Sequence, residues 1–423
     1  MNQIIKKNIL IFAHYYYPDT ASTGQLLQDQ AEGMLQSFDV TVICTVPSYG
    51  GIISDNYKIQ KYYQENINGV NVIRVRVPEF NKNNKLSRIN NIASYFLRAI
   101  YVAKNTKDMD YIFTISQPPI LGGLLGVIGK KIKKAKLIYC IQDFNPEQTM
   151  AVGYFKNKLF MRLMMSIDKY SCKKSDLIIT VGRDLCKTLE NRFKNSSKPK
   201  YIMINNWIDE EKIYPLPLEH NKVQAFRRKY KLENKFVFMY SGNIGLHYDL
   251  ENLIKVIGKF KDYKTIDGKE VCFSFVGAGA ILDKLQIYVS KHQIKNVIFI
   301  PYQDKKDLIY SLNAADVHWC MNAKGIKGIS CPSKFYGIAA CAKPIIGVLE
   351  SESEIRSLIE ISNCGLVSEP GNYDEVEKNI NLFINMSSTK ELINMGTNGY
   401  QYLISNFTKE KSIQKYIDAI LNC

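Results

Sequence analysis

NILIFA (Asn8–Ala13), GQLLQDQAEGMLQ (Gly24–Gln36) and VTVICTV (Val40–Val46) follow one another near the start of the chain. The first and third runs are mainly apolar, as suits strands buried on both faces of a parallel sheet. The middle run places Leu26, Leu27, Ala31, Met34 and Leu35 on one side of a helix. Strand, helix and strand at this spacing make a right-handed βαβ unit. The alternation continues outward. Strands are expected at Val70–Val77, Tyr111–Ser116, Lys136–Ile141 and Leu177–Val181, and helices at Ser87–Lys104, Leu121–Lys133 and Lys158–Lys174. This is the pattern of a doubly wound α/β sheet.

The pattern breaks near residues 205–235. Asn206-Trp207-Ile208-Asp209 leads to Pro215-Leu216-Pro217 and then to the charged run Phe226–Lys231, which reads as a linker. It restarts with strands at Phe236–Tyr240, Val271–Val276, Val297–Ile300, Val317–Cys320 and Pro344–Val348, and a helix at Asp249–Phe260. At 423 residues the chain is long enough for two such domains. The expected division is residues 1–208, residues 209–400, and a C-terminal helix over 401–423 that can cross back to the first domain. Two Rossmann-like domains leave a crevice between them as the natural ligand site.

Composition excludes several classes. With 46% hydrophobic and 23% charged residues the chain is an ordinary globular one. Its longest apolar stretch, Ile120–Ile128, is interrupted by three glycines and is too short to span a bilayer. The apolar run behind the basic N-terminus is too short for a secretory signal, so a cytoplasmic location is expected. Ten scattered cysteines without a C-x-x-C pair suggest reduced, buried thiols. The net charge of +16 suits a polyanionic partner, or else follows from a Lys-rich composition. Basic residues do cluster: Lys82, Lys85, Arg88 and Arg98 flank one apolar helix, and Lys130, Lys131, Lys133, Lys134 and Lys136 follow another. Such apolar stripes with cationic borders either face the sheet or lie on anionic lipid.

Two loops carry chemistry. In Ser241-Gly242-Asn243-Ile244-Gly245 a strand ends, glycines permit a tight turn and a helix follows, so backbone N–H groups can face a diphosphate. A second strand closes on Gly277-Ala278-Gly279. Neither is a G-x-G-x-x-G fingerprint, which disfavours a dinucleotide oxidoreductase. Further on, Gly328-Ile329-Ser330-Cys331-Pro332-Ser333-Lys334 leads into a helix. Ser333 is placed to cap it, and Lys334 adds a cation to its N-terminus. Asp108-Met109-Asp110 precedes its strand rather than following it, so it reads as a solvated turn and not as a metal-binding pair. His14 is equally suited to loop filling and to a ligand contact, and His247 to a phosphate or a helix cap.

Pro332-Ser333-Lys334-Phe335-Tyr336-Gly337-Ile338-Ala339-Ala340, followed by Lys343-Pro344-Ile345-Ile346, resembles the donor-site segment of family 4 glycosyltransferases, which have the GT-B fold: two Rossmann-like domains facing across a cleft. The resemblance is strongest to the branch that builds bacterial surface polysaccharides, including colanic-acid and N-acetylfucosamine transferases. Tyr15–Gly24, Ser116–Pro119, Ile141–Glu147, Asn205–Asp209, Tyr240–Gly245, Asn363–Gly365 and Glu369–Gly371 resemble further segments of that branch in the same order.

The resemblance implies a retaining transferase that moves a sugar from a nucleotide diphosphate donor, a UDP-sugar, to a polyprenyl-diphosphate-linked sugar in O-antigen or capsule assembly. It implies no metal and no cofactor, and a place at the inner face of the membrane. Donor binding would fall to Gly242, Asn243, Gly245, Gly277, Ser333, Lys334, Tyr336 and Gly337. The acceptor side would be Thr23, Gly24, Gln142 and Asp143, with Lys334 and Asp143 carrying catalysis. The chain departs from the family where many members keep two glutamates, here Ile329 and Gly337, and an arginine and lysine, here Asn243 and Tyr248. Diphosphate charge would then rest on Lys334, with Lys324 or Lys327 as auxiliaries. A histidine common before the aspartate is Gln142 here. A nucleotide-sugar 2-epimerase of the same architecture stays open as an alternative. A basic nucleic-acid-binding protein is the weaker alternative, since no recognisable binding module is present.

Overall fold

The structure, a computed structural model, describes residues 6–19, 21–81, 84–151 and 157–423. Its contacts divide the chain into two compact units. One comprises Met1–Val181, Leu185–Ile204 and Glu410–Cys423, the other Gly182–Asp184 and Asn205–Lys409.

The first unit is built on eight strands: β1 (Lys7–Phe12), β2 (Phe38–Thr45), β3 (Tyr62–Ile67), β4 (Val70–Val75), β5 (Tyr111–Ile115), β6 (Lys136–Ile141), β7 (Leu177–Thr180) and β8 (Tyr201–Met203). Their order is β3-β4-β2-β1-β5-β6-β7-β8. All neighbours are parallel except β3 and β4. That antiparallel edge hairpin turns on Asn68-Gly69, both at positive φ, a pair suited to a tight hairpin turn. The helices are α1 (Ser22–Met34), α2 (Lys85–Asn105), α3 (Leu121–Lys133), α4 (Glu147–Ala151), α5 (Lys158–Lys174) and α6 (Arg183–Arg192). Asn84 starts α2 by accepting the N–H groups of Leu86 and Ser87, and Asn157 starts α5 by accepting those of Leu159 and Phe160.

Helix α3 settles one of the two readings of its apolar run. It packs against both α2 and α5, and its glycines bring it down onto the sheet. A Cβ at Gly126 would stand 2.5 Å from Thr114 Cγ2, and one at Gly129 would stand 2.7 Å from the Phe12 ring. The apolar side of Leu121–Ile128 is therefore core, not a lipid-facing stripe. Its lysines have partners: Lys130 Nζ lies 2.7 Å from Asp176, Lys133 donates to the Thr106 carbonyl and Lys136 to the Cys423 carbonyl. The exposed apolar residues lie instead on α2 and α5. Leu86 and Leu97 are 77% and 66% exposed, and Leu159 and Leu163 are 75% and 56%. Lys82 lies outside the described residues. None of the ten cysteines, all of them described, forms a disulfide, and Cys44, Cys140 and Cys272 are buried in strands.

The second unit begins with a correction. The charged run Phe226–Lys231, read as linker, lies mostly within the helix α7 (Asn221–Lys229). Val223 and Phe226, three apart, bury one face, and the Arg227 guanidinium is buried with them, donating to the Ala314 and Lys235 carbonyls. The sheet is wholly parallel: β9 (Lys235–Ser241), β10 (Glu270–Val276), β11 (Val297–Ile300), β12 (Val317–Met321), β13 (Ile345–Val348) and β14 (Gly365–Ser368), ordered β11-β10-β9-β12-β13-β14. Around it stand α8 (Leu250–Ile257), α9 (Leu282–Lys291), α10 (Leu308–Asn313), α11 (Lys334–Ala340), α12 (Glu354–Ser362), α13 (Tyr373–Asn385) and α14 (Lys390–Asn406). The last helix, α15 (Lys409–Leu421), packs almost entirely into the first unit. There Tyr416 reaches Cys140 Sγ at 3.6 Å and Ile413 lies against Gly33.

One buried ionic cluster holds the loop after β6. The Arg192 guanidinium donates to Glu147 Oε1 at 2.7 Å, to the Asn145 carbonyl at 2.8 Å and to Asp168, and it lies over the Phe144 ring at 4.3 Å. Tyr139 donates its hydroxyl to the same Asp168 at 2.8 Å. Removing one member of a buried pair strands the other charge without a partner. Arg192→Met is expected to lower unfolding stability by about 3–5 kcal/mol, measured by urea denaturation. Adding Asp168→Asn should restore part of the loss, and full stability in the single variant would contradict the assignment.

Candidate functional site

Apart from the antiparallel β3–β4 edge hairpin, each sheet reverses its strand order once, and several of the residues singled out in the sequence lie in loops at the carboxyl ends of the strands there. Such a switch point opens a crevice where ligands of α/β proteins bind.

In the first unit the reversal lies between β1 and β5. The loop after β1 runs into α1, whose Thr23 donates its hydroxyl to Gln117 Oε1 at 2.7 Å across the switch point. Gly24 lies so close to this loop that a Cβ would stand 3.0 Å from the Tyr15 carbonyl oxygen. The Ser116 hydroxyl accepts the N–H groups of Gln142 (3.1 Å) and Asp143 (3.2 Å). Thr23, Gly24, Gln142 and Asp143 are thus brought together through Ser116 and Gln117. The Arg192 cluster fixes the far side of the Asp143 loop at Asn145 and Glu147. His14 is buried between the rings of Tyr15 (4.2 Å) and Tyr95 (5.0 Å). Burial pulls its pKa down to about 4, so the imidazole is neutral at pH 7.

In the second unit the reversal lies between β9 and β12. Two βα turns meet there. The Gly242 N–H donates to the Val276 carbonyl at 2.9 Å, and the Ile244 N–H donates to the Ala278 carbonyl at 2.9 Å. Gly242 and Gly277 have φ of 140° and 142°, and a Cβ on Gly277 would lie 2.0 Å from the Gly242 carbonyl oxygen. Only glycine fits there. Because the Gly242 amide is engaged, the amides of this turn that make no backbone bond among the described residues are those of Asn243 and Gly245.

Lys334 enters this turn from the first residue of α11. Its Cε lies 2.9 Å from the place a Gly242 Cβ would occupy. Its ammonium lies 3.8 Å from the Tyr248 ring centroid and 4.9 Å from that of Tyr240. Tyr240 is fully buried and donates its hydroxyl to the Asn243 carbonyl at 2.7 Å. The two tyrosines had no assigned part in the sequence reading. The signal for Tyr248 was the family resemblance alone, which implies a basic residue at its position.

The other expected residues divide. Gly337 lies on α11 with a Cβ position 3.5 Å from Leu312. Ser333 stands at the N-cap position and is exposed, but its side chain makes no capping hydrogen bond, because its backbone is already helical (φ −72°, ψ −6°) rather than extended. Tyr336 is 1% exposed and packs edge-on against Phe407 at 5.7 Å, so its ring belongs to the core and not to a ligand surface. Lys327 turns away to the Ser351 carbonyl, while the N–H groups of Gly325 and Lys327 both donate to Glu350 Oε2 at 2.9 Å. Nothing in the sequence marked Glu350 as the anchor of this loop. The His247 carbonyl accepts the Ala323 N–H at 2.7 Å, tying the loops after β9 and β12 together. Asp110 accepts the Asn8 N–H at 2.8 Å at the amino end of the first sheet, away from the switch point. Among the described residues no group of three or more His, Cys, Asp or Glu side chains is placed to hold a metal ion. No helix among them is long and apolar enough to cross a membrane.

The whole chain has relatives. It is 23% identical over 350 residues to the probable glycosyltransferase WbjE of Pseudomonas aeruginosa, covering 81% of this chain and 82% of that protein. It is 24% identical over 362 residues to the putative colanic acid biosynthesis glycosyl transferase WcaI of Escherichia coli K12, covering 83% and 86%. Among solved structures, Anabaena HepE in complex with UDP and glucose superposes with a TM-score of 0.72 at 14% identity, covering 99% of this chain and 100% of that one. Residues 222–402, which contain both turns and Lys334, match the family described as glycosyl transferases group 1. With two units built on mainly parallel sheets, a glycine turn and lysine at the second switch point, and these relatives, the chain is a glycosyltransferase of the GT-B fold whose second unit carries the match to group 1.

Proposed function

We propose that this enzyme transfers a sugar from a UDP-sugar to a lipid-linked saccharide, with retention of anomeric configuration, in the assembly of a bacterial surface polysaccharide. The observation that carries the reading is the Lys334 ammonium at the Gly242 turn, in which the Asn243 and Gly245 amides make no backbone hydrogen bond among the described residues. As the glycosidic bond breaks, negative charge develops on the leaving diphosphate. A preorganised cation and backbone N–H groups that meet that charge would stabilise the transition state without reorganising. HepE, whose fold this chain shares, holds UDP and glucose, and WcaI is named for colanic acid biosynthesis. Retention and the polyprenyl carrier rest on the family resemblance. The acceptor hydroxyl is assigned to the first unit, where Thr23, Gly24, Gln142 and Asp143 converge.

A lipid-linked acceptor calls for a bilayer-facing surface. Helices α2 and α5 supply exposed Leu86, Ile89, Leu97, Leu159 and Leu163. Lys85, Lys104, Lys158 and Arg162 lie on the same helices. Apolar side chains bordered by cations suit the interface of an anionic membrane, each basic residue contributing about 1 kcal/mol at low salt.

Lys334→Ala is expected to lower turnover by a factor of roughly 100–1,000, the effect of losing one preorganised electrostatic contact. Steady-state rates on a donor panel, with circular dichroism to confirm folding, test this. Near-wild-type turnover in the folded variant refutes the assignment. Because leaving-group charge is routed through Lys334 and amides, transfer should persist in excess chelator. Loss of activity restored by magnesium or manganese would overturn that route. Sedimentation with anionic vesicles should exceed that with zwitterionic vesicles and fall as salt rises. Leu159→Gln with Leu163→Gln should weaken it while leaving UDP binding intact. Indifference of the wild-type protein to anionic vesicles at low salt would sink the membrane assignment.

A further inference from the structure

The Lys334 ammonium is held by rings. Tyr248 faces it at 3.8 Å from the centroid and Tyr240 at 4.9 Å, the two rings standing 5.9 Å apart at 62°. Among the described residues no carboxylate pairs with it. The choice of partner matters for a diphosphate site. A carboxylate would restrain the ammonium but cancel its charge and compete with the incoming anion. An aromatic face attracts a cation through its quadrupole and leaves the net charge at +1. It also restrains a side chain whose flexible stem otherwise samples many rotamers.

The ring of Tyr248 is itself fixed. It ends the short turn Leu246–Tyr248, whose His247 carbonyl accepts the Ala323 N–H at 2.7 Å. The next residue, Asp249, is in the left-handed region at φ 50° and accepts the Tyr373 hydroxyl. Tyr240 is held by its hydroxyl on Asn243. Both rings are therefore held by the protein's own contacts.

We propose that Tyr248 is a positioning residue for the diphosphate: its ring face holds the Lys334 ammonium at the Gly242 turn, ready for the donor. The proposal rests on the reading of Lys334 given above. It accounts for a lysine that sits against two ring faces instead of a carboxylate.

The test measures UDP and uridine binding to the full chain, by calorimetry for UDP and ligand-observed NMR for uridine. Tyr248→Phe keeps the ring and should bind UDP within about twofold of wild type. Tyr248→Leu removes it and should weaken UDP by roughly tenfold, with uridine unchanged, since the loss is confined to the phosphates. In the Lys334→Ala background Tyr248→Leu should add no further loss, because there is no ammonium left to hold. Equal weakening of UDP and uridine, an undiminished loss in the Lys334→Ala background, or wild-type UDP affinity in Tyr248→Leu each overturns the proposal. Tyr248→Gln replaces Tyr248→Leu should the latter not fold. If Lys334→Ala itself binds UDP normally, it is the underlying reading of Lys334 that has failed.

Discussion

Between Gly277 and the Gly242 carbonyl there is no room for a methyl group: a Cβ would stand 2.0 Å from that oxygen. Much of the second unit's site depends on this approach. It lets the turns after β9 and β10 run side by side, joined by the Gly242–Val276 and Ile244–Ala278 hydrogen bonds. Gly242 in turn lacks a side chain where Lys334 Cε lies, so the lysine stem can cross the turn and bring its ammonium onto Tyr248. Two absent side chains thus set where one charge sits. A substitution at either glycine acts on the site through the backbone, since both have φ near 140°, which L side chains rarely adopt.

The first unit solves a similar problem with buried charge instead of glycine. Arg192 pins the Asp143 loop from beneath. Arg74, with no exposed surface, pairs with Glu65 on the edge hairpin and donates to the Tyr17 carbonyl in the loop after β1. Each guanidinium presents several donors in a fixed plane, so one side chain can hold a carboxylate and a loop carbonyl together. Loops at a sheet's edge are otherwise the mobile part of an α/β unit.

The fold was legible because its strands are long apolar runs and its helices carry clear periodicity. The bounds of α3, α5 and β6 agree with those expected from sequence. What escaped was short or disguised. In β3, polar residues alternate with half-buried ones, and only Asn68-Gly69 marked the hairpin. In α7 a buried arginine among surface charges looked like linker. The site was legible as a set of loops but not as contacts. Lys334 and the two glycines come together, but Tyr336 faces the core, and Ser333 adopts helical backbone where a cap needs extended backbone. Tyr248 stood out as a departure from the family pattern, but its ring contact with Lys334, and that of Tyr240, could not be read until the Lys334 side chain is placed. The run Leu121–Ile128 shows the same limit from the other side. Its composition suits lipid and core equally, and only the fit of its glycines against Thr114 and Phe12 decides between them.

Helix α15 has a consequence for synthesis. Ile413, Tyr416, Ile417 and Ile420 are buried within the first unit, although they follow the whole of the second unit in the chain. Chains emerge from the ribosome amino end first, and units ordinarily fold in that order. Here the second unit has all of its residues by Lys409, while the first still lacks the helix that covers Gly33, Phe113 and Cys140. The unit translated first is therefore completed last, and its apolar face stays uncovered until the final helix emerges.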